Sequence, residues 1–179
     1  GEQAGREFVI KARDLGMSVG LRKTKSPEEL EAARYDRKLV VEEFVPGFDA
    51  TVAVLANHSG DYTLLGAVYY EPRDRNHDWM FTEELKKLPL DNSEFKSFEI
   101  SVDGKLAVEI LRLSRMLGEG GVYRHDFRIE PLPNGEAPDV MTLENSWYLE
   151  VTPTPTMAEQ TDFGQILRRA VSNDEIRRE

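Results

Sequence analysis

The sequence predicts an α+β fold in which antiparallel strands pack with a small number of helices. Residues 38–45, 49–56 and 62–70 are β-branched or alternating runs separated by turns, as in an antiparallel three-stranded meander. Residues 103–117 carry apolar side chains at helical spacing, with Asp103 as N-cap and Gly118 as the stop signal. Residues 121–129 and 147–152 have the composition of two further strands.

The remaining elements follow from local signals. Residues 6–12 form a first strand that leads into a glycine-punctuated turn at residues 14–21. Ser26 and Pro27 open a capping box, which predicts a short helix over residues 27–34. A long loop is expected over residues 71–92, with one helical turn within residues 81–88, and a terminal helix over residues 165–178.

Composition excludes several classes of function. The formal net charge of -10 over 179 residues, with no long basic run, argues against nucleic acid as a partner. The absence of cysteine removes disulfides and thiolate chemistry, and the three histidines are not spaced as a zinc site. The apolar runs are too short for a membrane span, so we expect a soluble, cytoplasmic protein without a membrane partner.

Two acidic residues on the last two strands point to a cation site. Alternation places Arg124 with Asp126 and Arg128 on one face of their strand, and Glu150 with Thr152 on one face of the next. Antiparallel pairing would bring Asp126 close to Glu150, and two adjacent carboxylates repel unless a cation or proton lies between them. Either Mg²⁺ occupies this position, or both side chains are solvated on an exposed sheet face.

Further expectations concern the remaining side chains of these two strands and three charged residues earlier in the chain. By the same alternation, Tyr123, His125 and Phe127 would share the other face of the first of the two strands, and Trp147, Leu149 and Val151 would face the core from the second. Lys11, at the end of the first strand, is either a point charge for phosphate oxygens or a surface lysine beside a hairpin. Glu42 and Glu43 lie on opposite faces, so one is expected to be a solvated charge.

Four ordered motifs resemble those of the D-alanine:D-alanine ligases. They cover residues 11–20, 41–55, 123–127 and 148–157. Because the four occur in order over most of the chain, together they are far more specific than any one of them. The sequence is therefore similar to the carboxyl-terminal part of an ATP-grasp ligase, and this resemblance implies the ATP-grasp fold, with two lobes around a nucleotide cleft. The amino-terminal preATP-grasp domain is expected to precede Gly1.

The resemblance implies a nucleotide site. Its residues would be Lys11, Gly16, Ser18, Glu42, Glu43, Val45 and Asp49. Lys11 would hold ATP phosphates while the glycine-rich loop folds over them. The segment 42–45 would form the adenine-binding edge, and Asp49 would replace the ribose-binding glutamate of the family. The resemblance also places Lys11 opposite Asp126 and Glu150 across the cleft.

The resemblance also implies the reacting side of the site. Arg124 would face the acyl phosphate, and Lys86 is the nearest match to the lysine of the family's mobile loop. Asp126, Glu150 and Thr152 would bind Mg²⁺ or Mn²⁺. The metal-binding asparagine of the family is replaced here by Thr152, whose hydroxyl is a poorer ligand.

Two further departures fall near the substrates. Thr156 stands where the family has a glycine that approaches the reaction centre, and Thr161 stands where the family has the serine that meets the acceptor carboxylate. The implied activity is ATP-dependent ligation of two amino acids, with ATP and amino acids as partners and a homodimer when the amino-terminal domain is present. The alternatives are a nucleotide-binding pseudoenzyme and a non-catalytic α+β binding module. The expected lobes are residues 1–70 and 71–179.

Overall fold

A computed structural model describes most of the chain. The described residues are 6–13, 20–56, 59–74, 77–86, 88, 92–118, 121–153, 164 and 166. The chain divides into two compact units, one formed by Gly1–Val45 with Met80–Leu88 and the other by Pro46–Trp79 with Pro89–Glu179. The division falls earlier than the predicted boundary at Tyr70, because the strand that follows Pro46, residues 48–56, pairs with the predicted strand at residues 121–129.

The first unit contains a three-stranded antiparallel sheet of order β2-β1-β3. Its elements are β1 (Phe8–Ala12), β2 (Arg22–Thr24), α1 (Pro27–Tyr35), β3 (Leu39–Glu43) and α2 (Glu83–Lys86). Helix α1 begins as predicted, since the Ser26 hydroxyl accepts a hydrogen bond from the Glu29 amide and Pro27 opens the helix. The Ser26 amide donates to the Thr24 hydroxyl, however, and not to the Glu29 side chain, as it would in a complete capping box.

The second unit is built on a five-stranded antiparallel sheet of order β10-β8-β4-β5-β6. Its strands are β4 (Phe48–Ala56), β5 (Tyr62–Pro72), β6 (Phe95–Glu99), β8 (Gly121–Ile129) and β10 (Ser146–Pro153). A short parallel pair, β7 (Ser101–Val102) with β9 (Val140–Met141), completes the strands of the described residues. We did not predict β6, β7 and β9, because β6 mixes charged residues with phenylalanines and the other two are too short to show a period.

The predicted meander is correct for β4 and β5 but wrong for β3. β3 pairs with β1, whereas β4 lies between β5 and β8 and has no free edge for β3. The chain leaves the first sheet after β3 and enters the second at β4, by way of Pro46 and Gly47. Gly47 has φ +142°, and a Cβ at this position would lie 2.1 Å from the carbonyl oxygen of Ile129. This close approach requires glycine. Strand β4 begins at the next residue.

Helix α3 (Gly104–Leu117) covers one face of the five-stranded sheet. It begins and ends as predicted, because the Asp103 carboxylate accepts a hydrogen bond from the Leu106 amide at 2.7 Å and Gly118 adopts φ 75°. Leu106, Ile110 and Ser114 are buried. Leu113 and Leu117, which share the predicted apolar pattern, are exposed.

Phenylalanines and β-branched residues fill the space between α3 and the sheet. The buried cluster consists of Phe48, Ala50, Val52, Val54, Ala56, Ala67, Ile100, Leu106, Ile110, Tyr123, Phe127, Ile129 and Met141. The opposite face of the sheet carries the polar residues described below. The predicted terminal helix at residues 165–178 lies outside the described residues except for Ile166. Within the part of the chain that the structure describes, no helix has the length and apolar character needed to cross a membrane.

Candidate active site

The two faces of β8 differ in character as the sequence predicts. Tyr123, His125 and Phe127 are at most 2% exposed and point towards α3. Arg124 and Asp126 alternate with them and lie on the opposite face, where both are partly buried. The two-residue period of the strand therefore places Tyr123, His125 and Phe127 in the core and Arg124 and Asp126 on the other face.

The acidic pair is formed across β8 and β10. Glu150 lies opposite Asp126 in the strand register, and Thr152 lies opposite Arg124. Thr51, on the other neighbouring strand, is also opposite Asp126. Three strands thus bring two carboxylates, two hydroxyls and one guanidinium to the same face of the sheet.

A bulge in β10 corrects one prediction. The register of β10 against β8 shifts between Tyr148 and Glu150, so Leu149 has no opposing residue. The extra residue reverses the alternation on its amino-terminal side. As a result Trp147, expected in the core, lies opposite Arg128 and is 51% exposed, while Tyr148 packs against His125 and Phe127. Val151 packs against the core as predicted.

Asp126 is held by donors from two strands. Nε of Arg124 lies 3.0 Å from Oδ1 and 3.1 Å from Oδ2, and Nη2 lies 2.8 Å from Oδ2. The Thr51 hydroxyl, 5% exposed, donates to Oδ1 at 2.9 Å. Thr51 is not among the predicted site residues. The only signal for it is its hydroxyl in strand β4, whose other residues apart from Asp49 are apolar, and its importance depends on which residue lies opposite.

Arg124 contacts two of the three proposed cation ligands. Besides contacting Asp126, its Nη2 donates to the Thr152 hydroxyl at 3.3 Å. Burial lowers the pKa of Arg124, but the charge and hydrogen bonds of Asp126 outweigh it, with further contributions from Tyr70 and Glu150, so the pKa is raised overall. Arg124 is therefore fully charged and oriented by a bidentate contact.

The donor set suits a hard divalent cation. Asp126, Glu150 and Thr152 offer only oxygen atoms, which Mg²⁺ and Mn²⁺ prefer. Among the described residues, no group of three or more His, Cys, Asp or Glu side chains gathers as a metal cluster. A cation here would thus depend on two carboxylates, a hydroxyl and further oxygens from water or substrate. Since both oxygens of Asp126 already accept hydrogen bonds, a cation would share this carboxylate with Arg124 or displace it.

Asp49 and Arg128 form a second ion pair further along the same face. Arg128 Nη1 lies 2.8 Å from Asp49 Oδ2, and the two side chains are 5% and 17% exposed. Arg128 Nη2 also donates to the His77 carbonyl at 3.3 Å, and the Gly47 amide donates to the same oxygen. The carboxylate of Asp49, expected to bind ribose, is thus engaged in a buried ion pair. Because the Asp49 carboxylate compensates its charge, the Arg128 side chain can be buried.

Apart from Asp49, the nucleotide-side residues that the structure describes lie in the first unit. Lys11 Nζ is 2.9 Å from Glu42 Oε2, with side chains 23% and 38% exposed. Glu43 lies on the other face and pairs with Arg6 at 3.4 Å, where both side chains are 56% exposed. The expectation that Glu42 and Glu43 face opposite sides is therefore confirmed. Val45 follows β3 and is partly buried.

Several predicted residues are not placed by these contacts. Gly16, Ser18, Thr156 and Thr161 lie outside the described residues, and Lys86 is the last residue of α2. Lys11 belongs to the first unit, and Asp126 and Glu150 belong to the second. Their predicted arrangement across a common cleft stays a prediction.

Sequence relatives agree on one family. Residues 2–170 match the family described as D-ala D-ala ligase C-terminus. The D-alanine--D-alanine ligase of Coprothermobacter proteolyticus is 27% identical over 94% of this chain and 56% of its own length. That of Gloeobacter violaceus is 26% identical over 93% of this chain and 55% of its own length. The chain thus spans about half the length of these relatives.

Solved structures agree on the fold. D-alanyl-alanine synthetase A from Vibrio cholerae superposes with a TM-score of 0.59 at 15% identity, over 92% of this chain and 47% of that one. The ATP-grasp ligase PsnB, solved with its minimal precursor, Mg and ADP, superposes with a TM-score of 0.54 at 15% identity, over 93% of this chain and 46% of that one. This chain has the ATP-grasp fold and belongs to the family of D-alanine:D-alanine ligase carboxyl-terminal domains.

Proposed function

We propose that the protein is an ATP-dependent carboxylate-amine ligase of the D-alanine:D-alanine ligase type, which joins two amino acids and forms ADP. The pairing of Asp126 with Glu150, with Arg124 on the same face of the sheet, carries the proposal. Relatives that bear the name D-alanine--D-alanine ligase support it. The proposal concerns the full protein, since those relatives are about twice as long as the matched region.

The proposed reaction has two steps. The γ-phosphoryl group of ATP is transferred to the carboxylate of the first amino acid, which gives an acyl phosphate and ADP. The amine of the second amino acid then attacks the acyl carbon, phosphate leaves, the amine loses a proton and an amide remains. Neither step needs a covalent nucleophile from the protein, so its residues act by positioning reactants and neutralising charge.

On the reacting side, Asp126, Glu150 and Thr152 would hold Mg²⁺ or Mn²⁺. The bound cation would supply a positive charge that neutralises the phosphate oxygens during transfer. Arg124 would bind the transferred phosphoryl group, since its planar fork matches phosphate as well as carboxylate. Lys86 is proposed as a second positive group for the same oxygens.

On the nucleotide side, we assign phosphate binding to Lys11 and to the loop that contains Gly16 and Ser18. The Lys11 ammonium is a compact charge on a flexible stem, so it can exchange Glu42 for a phosphate oxygen. The segment from Glu42 to Val45, with Glu43 between them, is the proposed adenine edge. Asp49 is the proposed ribose contact, which requires that one of its oxygens remain accessible beside Arg128.

The partners of this activity would be ATP and two amino acids, and the compartment would be the cytoplasm, where ATP is available. The two compact units are the proposed lobes of the ATP-grasp fold, in place of the expected division after Tyr70. A homodimer of the full protein is a separate proposal, which sedimentation would test.

One observation favours a second candidate, a pseudoenzyme that binds nucleotide without turnover. Both oxygens of Asp126 are occupied by Arg124, and Thr152 supplies a hydroxyl where the resemblance expects an amide oxygen. If these contacts persist with nucleotide bound, cation binding would be too weak for transfer.

The test combines a thermal melt with an assay of phosphate release. A rise in melting temperature with ATP and Mg²⁺ is expected, because a ligand that binds only the folded state stabilises it. Phosphate release with pairs of amino acids, added to the full protein, would then establish the ligase. The matched variants are Asp126→Asn and Glu150→Gln, with Glu144→Gln as a control at an exposed position away from the site.

Each outcome separates the candidates. Release that falls at least about a hundredfold in Asp126→Asn and Glu150→Gln, but not in Glu144→Gln, supports ligation, since removing a transition-state charge contact costs on the order of 3 kcal/mol. A nucleotide-dependent melt without release for any pair supports the pseudoenzyme. No response to ATP with either cation would overturn both and leave a binding module of other specificity.

A further inference from the structure

Arg124 lies among the residues of the proposed cation site. Its guanidinium contacts two of the three proposed ligands, Asp126 at 2.8 to 3.1 Å and Thr152 at 3.3 Å. The charge of the third, Glu150, also acts on it. The Arg124 and Asp126 side chains are only 27% and 16% exposed, so solvent screens their attraction weakly.

Thr51 limits how Asp126 can accommodate a second positive group. Its buried hydroxyl donates to Oδ1, and Arg124 donates to both oxygens. A carboxylate has about four lone-pair directions, and the contacts of Thr51 and Arg124 use most of them. A divalent cation at Asp126 would also repel the adjacent guanidinium at short range. Cation and guanidinium therefore compete for one carboxylate.

We propose that Arg124 is the resident counter-ion of Asp126, and that a divalent cation binds by displacing it. The displaced guanidinium then binds a nucleotide phosphate, so that cation and nucleotide enter the site cooperatively. The inference rests on the proposed function, because it assumes that Asp126 and Glu150 hold the cation. It adds a reason why the site would bind a cation weakly until nucleotide is present.

The cooperativity between cation and nucleotide depends on whether the displaced guanidinium finds a second anionic partner. Without nucleotide, displacement leaves Arg124 without an anionic partner, and its lost contacts with Asp126 weaken cation binding. With nucleotide, a phosphate oxygen accepts the same fork geometry, so displacement no longer opposes binding. Linkage requires that nucleotide strengthen cation binding by the same factor as the cation strengthens nucleotide binding.

The test uses Mn²⁺ as the probe, because its free concentration can be measured by electron paramagnetic resonance. Binding is titrated with and without a non-hydrolysable ATP analogue, after correction for Mn²⁺ held by free nucleotide. The variants are Arg124→Gln, which removes charge and fork, and Arg124→Lys, which keeps the charge. Arg115→Gln is the matched control, since Arg115 is an exposed residue near the end of α3, which covers the opposite face of the sheet.

In the absence of nucleotide, Arg124→Gln is expected to bind Mn²⁺ about tenfold more tightly than the wild type, equivalent to about 1.4 kcal/mol. Arg124→Lys should bind a few-fold more tightly, and Arg115→Gln should not differ. The analogue should strengthen Mn²⁺ binding in the wild type and lose this effect in Arg124→Gln. Adding Asp126→Asn to Arg124→Gln should remove the gain, which places the effect at this carboxylate.

Circular dichroism checks that each variant is folded, and Arg124→Lys carries the comparison if Arg124→Gln is not. Equal Mn²⁺ affinity in wild type and Arg124 variants, with binding still lost in Asp126→Asn, would overturn the inference and leave the proposed function intact. An equal gain in Arg115→Gln would overturn it too, since it would show an effect of net charge. Absence of Mn²⁺ binding in every protein, with or without the analogue, would overturn the proposed function as well.

Discussion

The Ser114 hydroxyl lies 2.8 Å from Nε2 of His125, behind the sheet that carries the acidic pair. Ser114 donates its single hydrogen to the Ile110 carbonyl at 3.0 Å, so Nε2 must donate to Ser114. Nδ1 then accepts from the Tyr148 hydroxyl at 3.4 Å. One neutral imidazole thus joins α3, β8 and β10 on the face of the sheet opposite Asp126.

This arrangement predicts a pH-dependent stability. Burial lowers the pKa of His125 from 6.5 to about 4, so the unfolded chain binds a proton more readily than the folded one between these values. Stability from His125 is complete above pH 6.5 and is lost as pH falls towards 4. The free energy of unfolding should fall by about 2 kcal/mol between pH 7 and pH 5 through this residue.

Urea unfolding of wild type and His125→Gln at both pH values would measure this loss. The variant is expected to be less stable at pH 7 but to lose about 2 kcal/mol less on acidification. An identical pH dependence in the two proteins would show that His125 does not titrate in this range.

Gly47 is predicted to be intolerant of any side chain. Alanine at Gly47 would place Cβ 2.1 Å from the Ile129 carbonyl oxygen at φ +142°, which forces the backbone to move. Gly60→Ala is the matched control, since Gly60 also has positive φ, at +85°, but open space around it. We expect a loss of about 4 kcal/mol for Gly47→Ala and about 1 kcal/mol for Gly60→Ala in urea unfolding. Equal losses would contradict the predicted clash.

The Asp49 and Arg128 ion pair should behave as a unit. Asp49→Asn leaves the buried Arg128 charge without its carboxylate, so we expect a loss of about 3 kcal/mol in the free energy of unfolding. The double variant Asp49→Leu with Arg128→Met should lose less than the sum of its single variants, because it leaves no buried charge. Additive losses in a double-mutant cycle would argue against direct coupling.

Thr51 should stabilise the fold through the charge of Asp126. Thr51→Val keeps the shape of the side chain but removes the donor to Oδ1, and a hydrogen bond to a charged group contributes about 2 kcal/mol. Thr51→Ser keeps the hydroxyl and should recover most of this stability. Both variants can be compared by urea unfolding at pH 7. A loss in the serine variant as large as that in the valine variant would indicate packing rather than hydrogen bonding.

Local signals in the sequence were sufficient for much of the fold. The period-two alternation of residues 121–129 predicted which side chains of β8 share a face, and the structure confirms it. Asp103 and Gly118 predicted the ends of α3, because capping depends on side chains within a few residues. The pairing of Asp126 with Glu150 followed from the same alternation once the two strands were taken as neighbours.

Tertiary structure decided what local patterns do not encode. The partner of β3 depended on which strand edges were free, and the position of Trp147 depended on the bulge at Leu149. The contact of Thr51 with Asp126 joins residues 75 positions apart, and no local signal reports such a separation. Sequence determined the chemical character of each segment through short-range sterics and hydrogen bonding, while the competition among strands for neighbours determined which side chains meet.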